Sequence, residues 1–264
     1  MSVLALKRGF VLHRRDYRNS SLLLEVFSAE TGRLACLAKG AKAAPKGRGA
    51  LASLLQPFQP LWLHWVGRGE VKTLTRAEAA GAAIALSGER LYCGFYLNEL
   101  LMRLLARDDP QEPLFVFYQQ ALVDLATESV DAVLRRFELR LLEELGYAFD
   151  PRRDRHGAPI DPRRCYGYSP NEGLEPMPDV DLAPLLDPRL DPRLAPTPEA
   201  AVAADPNLAP VALVSGATLQ RLAAGAALSP RETRAARDLM RAALAPHLGP
   251  KPLRSRELFR RRSV

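Results

Sequence analysis

The chain has 264 residues, of which 47% are hydrophobic and 25% charged, and it carries a formal net charge of +7. That much apolar material builds one large domain or two modest ones and excludes a disordered chain. Pro57, Pro60 and scattered charges interrupt every run that approaches the ~18 apolar residues of a membrane span, so none is expected.

The charge is unevenly spread. Residues 1–80 hold 13 Lys and Arg against 5 Asp and Glu, and residues 81–150 hold 6 against 12. The segment 151–210 has 7 against 10, and residues 211–264 have 11 against 3. Two basic ends around an acidic middle point to a polyanionic partner more strongly than the total does. Cys36, Cys93 and Cys165 are odd in number and far apart, which argues against a disulfide framework and for a reducing compartment. Met1–Arg15 shows no cleavable signal pattern, so the cytoplasm is the expected location.

From Gly9 to Arg76 the pattern is β. Short runs at Phe10–His13, Leu22–Phe27, Leu34–Ala38, Pro60–Val66 and Val71–Leu74 are separated by turn signals such as Thr31-Gly32 and Gly67-Arg68-Gly69. Five short strands with one long connection after the third predict a small barrel of the oligonucleotide-binding type; an SH3-like barrel reads almost the same. The long connection is itself informative. Lys39, Lys42, Lys46 and Arg48 alternate there with Gly40, Gly47 and Gly49 and meet no acidic residue. A basic, glycine-hinged loop on a small barrel suits the phosphates of single-stranded nucleic acid, and a solvated hairpin loop is the plainer alternative. Trp62 and Trp65 have opposite strand faces, so at most one belongs to the core and the other is available for a base or for burial.

The period becomes helical from Ser87, a plausible cap. Leu91, Phe95, Leu97, Leu100, Leu101, Leu104 and Leu105 form a nearly all-round apolar helix. Pro113 opens a second, with Leu114, Phe117, Tyr118, Ala121, Leu122 and Leu125 inward. Asp131 caps a third, with Leu134, Phe137, Leu141, Leu142 and Leu145 in register, and Gly146 ends it. These helices predict a bundle. Residues 150–210 are rich in Pro, Asp and Arg, and Asp187-Pro188-Arg189-Leu190 is repeated at once as Asp191–Leu194, which predicts an irregular insertion. Ser229-Pro230-Arg231-Glu232 then starts a helix running to Ala245, with Arg234, Arg237 and Arg241 on one side. The expected architecture is a multi-domain α and β chain: an N-terminal OB-fold β-barrel at 1–80, then an α-helical domain at 81–264 containing the insertion at about 150–210.

No catalytic constellation stands out. His13, His64, His156 and His247 lie in separate contexts, and no phosphate-cradling loop, nucleophile elbow or paired-acid motif occurs. Asp154, His156, Asp161 and Cys165 are loosely near one another in sequence, which leaves a metal-dependent nuclease as an alternative. No catalytic residue, cofactor or metal is expected, and the chain reads as a binder. An RNA-binding or ribosome-associated barrel protein is the other alternative, because the same basic loop would serve it.

Several motifs carry a family resemblance along nearly the whole chain. They are Gly9-Phe10-Val11-Leu12, Ala38-Lys39-Gly40-Ala41-Lys42, Leu55-Gln56-Pro57-Phe58 and Gly69-Glu70-Val71-Lys72-Thr73-Leu74. Further on come Tyr96-Leu97-Asn98-Glu99-Leu100-Leu101, Arg135-Arg136-Phe137-Glu138-Leu139, Leu145-Gly146-Tyr147 and the closing Gly249–Phe259 run. With these motifs the chain resembles the bacterial recombination mediator family RecO. The resemblance implies an oligonucleotide-binding barrel fused to a helical domain, binding of single- and double-stranded DNA, annealing of complementary strands, and help in loading the RecA recombinase onto coated single strands. It implies RecR and the single-stranded-DNA-binding protein as partners, and so a place beside the nucleoid. Some members carry a four-cysteine zinc module after the Leu-Gly-Tyr motif; here only Cys165 stands in that region, so the chain resembles a zinc-free branch.

Annealing needs no catalytic group, because base pairing supplies the free energy once two strands are held and neutralised. The expected phosphate contacts are Lys39, Lys42, Lys46 and Arg48, then Arg14, Arg15 and Arg33. The family's single-stranded-DNA-binding partner ends in an acidic tail with a terminal apolar residue, which asks for a cation beside an apolar groove. Arg135 and Arg136 flank a stripe containing Phe137, so Arg135, Arg136 and Phe137 are the expected docking residues; the alternative is that both arginines pair with acids of their own helices, such as Glu138 or Glu99.

Overall fold

The structure is a computed structural model that describes residues 5–43, 51–177 and 212–255. It divides into two compact units, Met1–Phe137 with Pro250–Val264, and Glu138–Gly249.

The first unit begins with five strands, β1 (Lys7–Tyr17), β2 (Ser21–Ser28), β3 (Gly32–Ala38), β4 (Leu61–Val66) and β5 (Val71–Ala79). They close into a barrel in the order β1-β2-β3-β5-β4. The β3–β5 pair is parallel, the other pairs are antiparallel, and β4 returns to β1. This Greek-key order is the oligonucleotide-binding barrel rather than the SH3-like alternative. Alternation sets the interior: Leu22, Leu24 and Val26 of β2 face Leu34, Cys36 and Ala38 of β3, with Leu61 and Leu63 of β4 completing the core. A short helix, α1 (Leu51–Leu54), brings Leu55 into that core.

Around a bulge between Val11 and His13, β1 buries four consecutive residues, Gly9, Phe10, Val11 and Leu12. Val11 joins the barrel core. Phe10 and its cross-strand partner Phe27 pack on α3 (Glu112–Thr127), with ring centroids 5.4–6.0 Å from Phe115 and Tyr118. Phe115 therefore takes the inward place expected for Phe117, which is half-buried. Before α3 comes α2 (Gly88–Leu104), N-capped at Ser87 as expected but without a side-chain bond. It buries two polar residues that apolar periodicity had no means to flag. Asn98 Nδ2 donates to the Leu12 carbonyl at 2.9 Å, and the Tyr118 hydroxyl donates to Asn98 Oδ1 at 2.6 Å. The Glu99 carboxylate accepts the backbone N–H of Arg254 (3.0 Å) and of Ser255 (2.8 Å), and the Ser255 hydroxyl (2.7 Å). Arg103 pairs with Glu99 at 2.8 Å and donates to the carbonyls of Lys251 and Pro252. Sequence motifs about 85 and 155 residues apart are thus direct partners.

The helix α4 (Val130–Glu144) starts one residue before Asp131, which sits in its first turn instead of capping it. Its end is as expected: Gly146 is left-handed (φ 76°), Tyr147 N–H returns to the Leu142 carbonyl and Gly146 N–H to that of Glu143.

The second unit corrects the reading of 150–210 as irregular throughout. β6 (Cys165–Ser169), β7 (Gly173–Pro176) and β8 (Ala212–Ser215) form a three-stranded sheet with β6 central. Tyr166 and Tyr168 are buried, and the Tyr166 hydroxyl accepts the Asp161 N–H at 2.8 Å. The Asp-Pro-Arg-Leu repeat lies outside the described residues. Ser215 caps α5 (Gly216–Ala223), and α6 (Pro230–Leu248) opens with the expected capping box between Ser229 and Glu232. That helix continues past Ala245 through Pro246 to Leu248.

Candidate nucleic-acid interface

Two chain reversals meet at one end of the barrel. β1 ends at Tyr17 and returns as β2 at Ser21, while β3 ends at Ala38 and runs into residues 39–43. Tyr17 stands opposite Ser21 and Leu22 opposite Ala38, so the next antiparallel step sets Ser21 beside Lys39. The Lys42 N–H donates to the Ser20 carbonyl at 2.9 Å, tying the two reversals together. Left-handed backbone at Arg18 (φ 52°) and Gly40 (φ 66°) makes each turn tight.

The cations gathered here differ in how they are engaged. Arg15, Arg18 and Lys39 are exposed and form no ion pair among the described residues, and Arg18 makes a ring contact with Tyr17. Lys42 pairs with Asp16 at 2.8 Å, but both partners face solvent. Such pairs contribute about 0–1 kcal/mol, so a phosphate can replace Asp16 at little cost. Arg14 shares the inward row with Leu24 and donates to the Ala52 carbonyl at 2.7 Å, holding α1 in place. Lys46 and Arg48 lie outside the described residues.

Arg33 lies at the other end of β3, away from Lys39. Its Nε pairs with Glu25 at 3.2 Å and its Nη1 donates to the Leu105 carbonyl at 3.0 Å. Around it Arg107 pairs with Glu25 at 2.6 Å, Lys72 with Asp108 at 3.2 Å, and the Asp108 N–H donates to the Arg33 carbonyl. Of the tryptophans, Trp65 packs against the barrel core with the Lys7 ammonium 5.0 Å above its ring, and Trp62 is on the outer face between Arg8 and Glu78.

Arg135, Arg136 and Phe137 are consecutive on α4 but differ in access. Arg135 and Phe137 are buried, whereas Arg136 keeps a third of its side chain exposed and binds Asp124 at 2.9 Å and Glu128 at 2.8 Å. In the second unit Arg241 pairs with Asp238, Arg234 is exposed and Arg237 half-buried.

Among the described residues no group of His, Cys, Asp or Glu has metal-holding geometry. Asp154 Oδ1 accepts the N–H groups of His156 and Ala158, and Asp161 Oδ1 that of Arg163, so both acids brace turns. Burial pushes the Cys36 and Cys93 thiols up to about 12 and raises that of Cys165, which keeps all three protonated and unreactive. No helix among the described residues is long and apolar enough to cross a membrane.

Sequence reasoning missed Tyr17 and Arg18. The signal was available in Arg14-Arg15-Asp16-Tyr17-Arg18, a basic run with an aromatic inside it, but its meeting with Lys39 depends on strand register.

Residues 1–83 match the family model for the recombination protein O N terminal, and residues 85–257 match that for the C terminal. The chain belongs to the RecO family. The DNA repair protein RecO of Pseudomonas paraeruginosa is 41% identical over 263 residues, covering 99% of this chain and 97% of that one. The RecO protein of Halorhodospira halophila is 42% identical over 255 residues, with 96% and 95% covered. That of Nitrosospira multiformis is 41% identical over 255 residues, with 96% and 93% covered. The RecO motifs have visible structural work within the first unit: Asn98 joins the Gly9–Leu12 motif to α2, and Glu99 holds the closing run.

Proposed function

We infer that this RecO chain acts in DNA repair as a recombination mediator. It binds single- and double-stranded DNA, anneals complementary strands, and helps load RecA onto strands coated by the single-stranded-DNA-binding protein. The observation that carries this reading is the convergence of Lys39, Lys42, Arg15 and Arg18 at one end of an oligonucleotide-binding barrel. A basic end lowers the repulsion between two phosphate backbones and leaves pairing to the bases, so no residue needs to be catalytic. The working division is a DNA-binding domain at 1–80 and a helical domain at 81–264, acting in the cytoplasm at the nucleoid.

For the acidic tail of the single-stranded-DNA-binding protein, the proposed dock is centred on Arg136, with its buried neighbours on α4, Arg135 and Phe137, completing the proposed set. Support comes from the two carboxylates that Arg136 already holds, which tail carboxylates can replace. RecR is the second proposed protein partner.

A strand-annealing assay tests the reading. Complementary oligonucleotides, bare or coated with the single-stranded-DNA-binding protein, should anneal faster with the protein and remain full length, and Lys39→Ala/Lys42→Ala should slow the reaction. Annealing at the uncatalysed rate contradicts it, as would magnesium-dependent cleavage or preference for RNA over DNA of the same sequence.

A further inference from the structure

Tyr17 sits at the rim of the basic end with 37% of its surface exposed, although it is an aromatic residue at the end of a paired strand. The guanidinium of Arg18 lies 5.4 Å from its ring centroid, within cation–π range. Arg18 reaches that place from a left-handed backbone, φ 52°, a conformation that non-glycine residues rarely adopt.

The rows on this side of the sheet follow from register. Beyond the bulge, Arg14 and Asp16 oppose the core residues Leu24 and Leu22, so they take the inward rows. Arg15 and Tyr17 take the outward rows, opposite Leu23 and Ser21. Leu23 in turn opposes Leu37, and both are half-buried. Arg15, Tyr17 and Lys39 thereby border one outward strip, with Leu23 and Leu37 inside it. Cations at the edge, apolar surface within and an aromatic ring at the rim form a surface for a nucleic acid whose bases are unpaired, since only such a strand offers base faces together with phosphates.

We propose that Tyr17, backed by Arg18, is a base-stacking platform that gives this end of the barrel its preference for single-stranded over double-stranded DNA. The inference rests on the placement of DNA at the Lys39 end. Arg18 covers one face of the ring, and a nucleobase stacks on the other while Lys39 and Arg15 contact the flanking phosphates.

The test is binding of three DNA probes to the full chain: a single strand carrying 2-aminopurine, a fully abasic strand of equal length, and a duplex. Tyr17→Leu keeps the apolar bulk but has no ring. It should weaken the base-bearing strand by about five- to tenfold, leave the abasic strand and the duplex unchanged, and leave the salt slope as in wild type. Tyr17→Trp should keep the affinity and quench 2-aminopurine at least as strongly as wild type. If Tyr17→Leu binds the base-bearing strand as wild type does, or weakens all three probes equally, the platform is overturned. Lys39→Ala/Lys42→Ala separates the two failures. A flattened salt slope with a silent Tyr17→Leu overturns the platform alone, whereas an unchanged slope overturns the DNA placement and the platform with it.

Discussion

The two ends of β3 carry cations six residues apart, in opposite circumstances. At its start, Arg33 is enclosed by Glu25 and the Leu105 carbonyl, and the chain at 107–109 runs alongside it. Gly32 is so close to that segment that an added Cβ would lie 1.8 Å from the Asp109 carbonyl oxygen. At its end, Lys39 faces solvent beside Arg15 and Arg18. A guanidinium already satisfied by a carboxylate and a carbonyl has little to gain from phosphate, whereas an exposed ammonium gains by releasing counterions from DNA. We propose that a cation's prior engagement, more than its proximity to the barrel, decides whether it meets DNA.

Substitutions at the enclosed end and along the barrel–helix contact should therefore cost stability, and Trp62 and Trp65, both on β4, give a fluorescence signal for barrel unfolding in urea. The largest loss is expected for Gly32→Ala. The left-handed backbone (φ 75°) and the backbone clash at Asp109 together should remove ~3–5 kcal/mol. A variant within ~1 kcal/mol of wild type would mean that the 107–109 segment is not held against β3.

Asn98→Leu should follow, at ~2–3 kcal/mol, because it leaves the Leu12 carbonyl and the Tyr118 hydroxyl buried without their partner. A smaller loss than for an exposed strand residue would show that Asn98 does not join β1 to α2.

A smaller and pH-dependent effect is expected for Glu99→Gln, read from the same urea midpoints. Burial raises the Glu99 carboxyl, but the bonds from Ser255 and Arg254 and the charge of Arg103 outweigh it and hold the group below its usual 4.5. A carboxylate whose pKa is lowered on folding stabilises the protein above the unfolded value, and that contribution disappears as pH falls through the folded value. The variant should be less stable than wild type by ~1–2 kcal/mol at pH 7, with the gap closing as pH drops below about 4.5. A gap constant with pH would place the closing run elsewhere.

Much of this organisation was legible in the sequence, and the exceptions share a cause. The barrel strands announced themselves through period-two alternation against one core, as in Leu22, Leu24 and Val26. Helix ends were written in local chemistry, as at Ser229-Pro230 and Gly146. What escaped depends on partners far away in the chain. The five-residue β6 pairs with the nearby β7 on one side, and on the other with β8, which begins 43 residues after β6 ends. Asn98 and Glu99 stood in a recognised motif, but their partners, the Leu12 carbonyl and Ser255, are not near them in sequence. Lys39 and Lys42 were readable from their loop, but their company with Tyr17 and Arg18 required the register of three strands.

The central claim is that DNA engages the open end of β3 and not the enclosed one, and salt-dependent binding of a single strand to the full chain tests it most directly. Contact with ~4–6 phosphates predicts a wild-type slope of log affinity against log salt of roughly −3 to −4, and loss of two contacts shifts it by about 1.4. Lys39→Ala/Lys42→Ala should show that shift with unfolding within ~0.5 kcal/mol of wild type, while Arg33→Ala keeps the wild-type slope and loses ~1–3 kcal/mol of stability. A wild-type slope in the double lysine variant, or a flattened one in Arg33→Ala, would contradict the account.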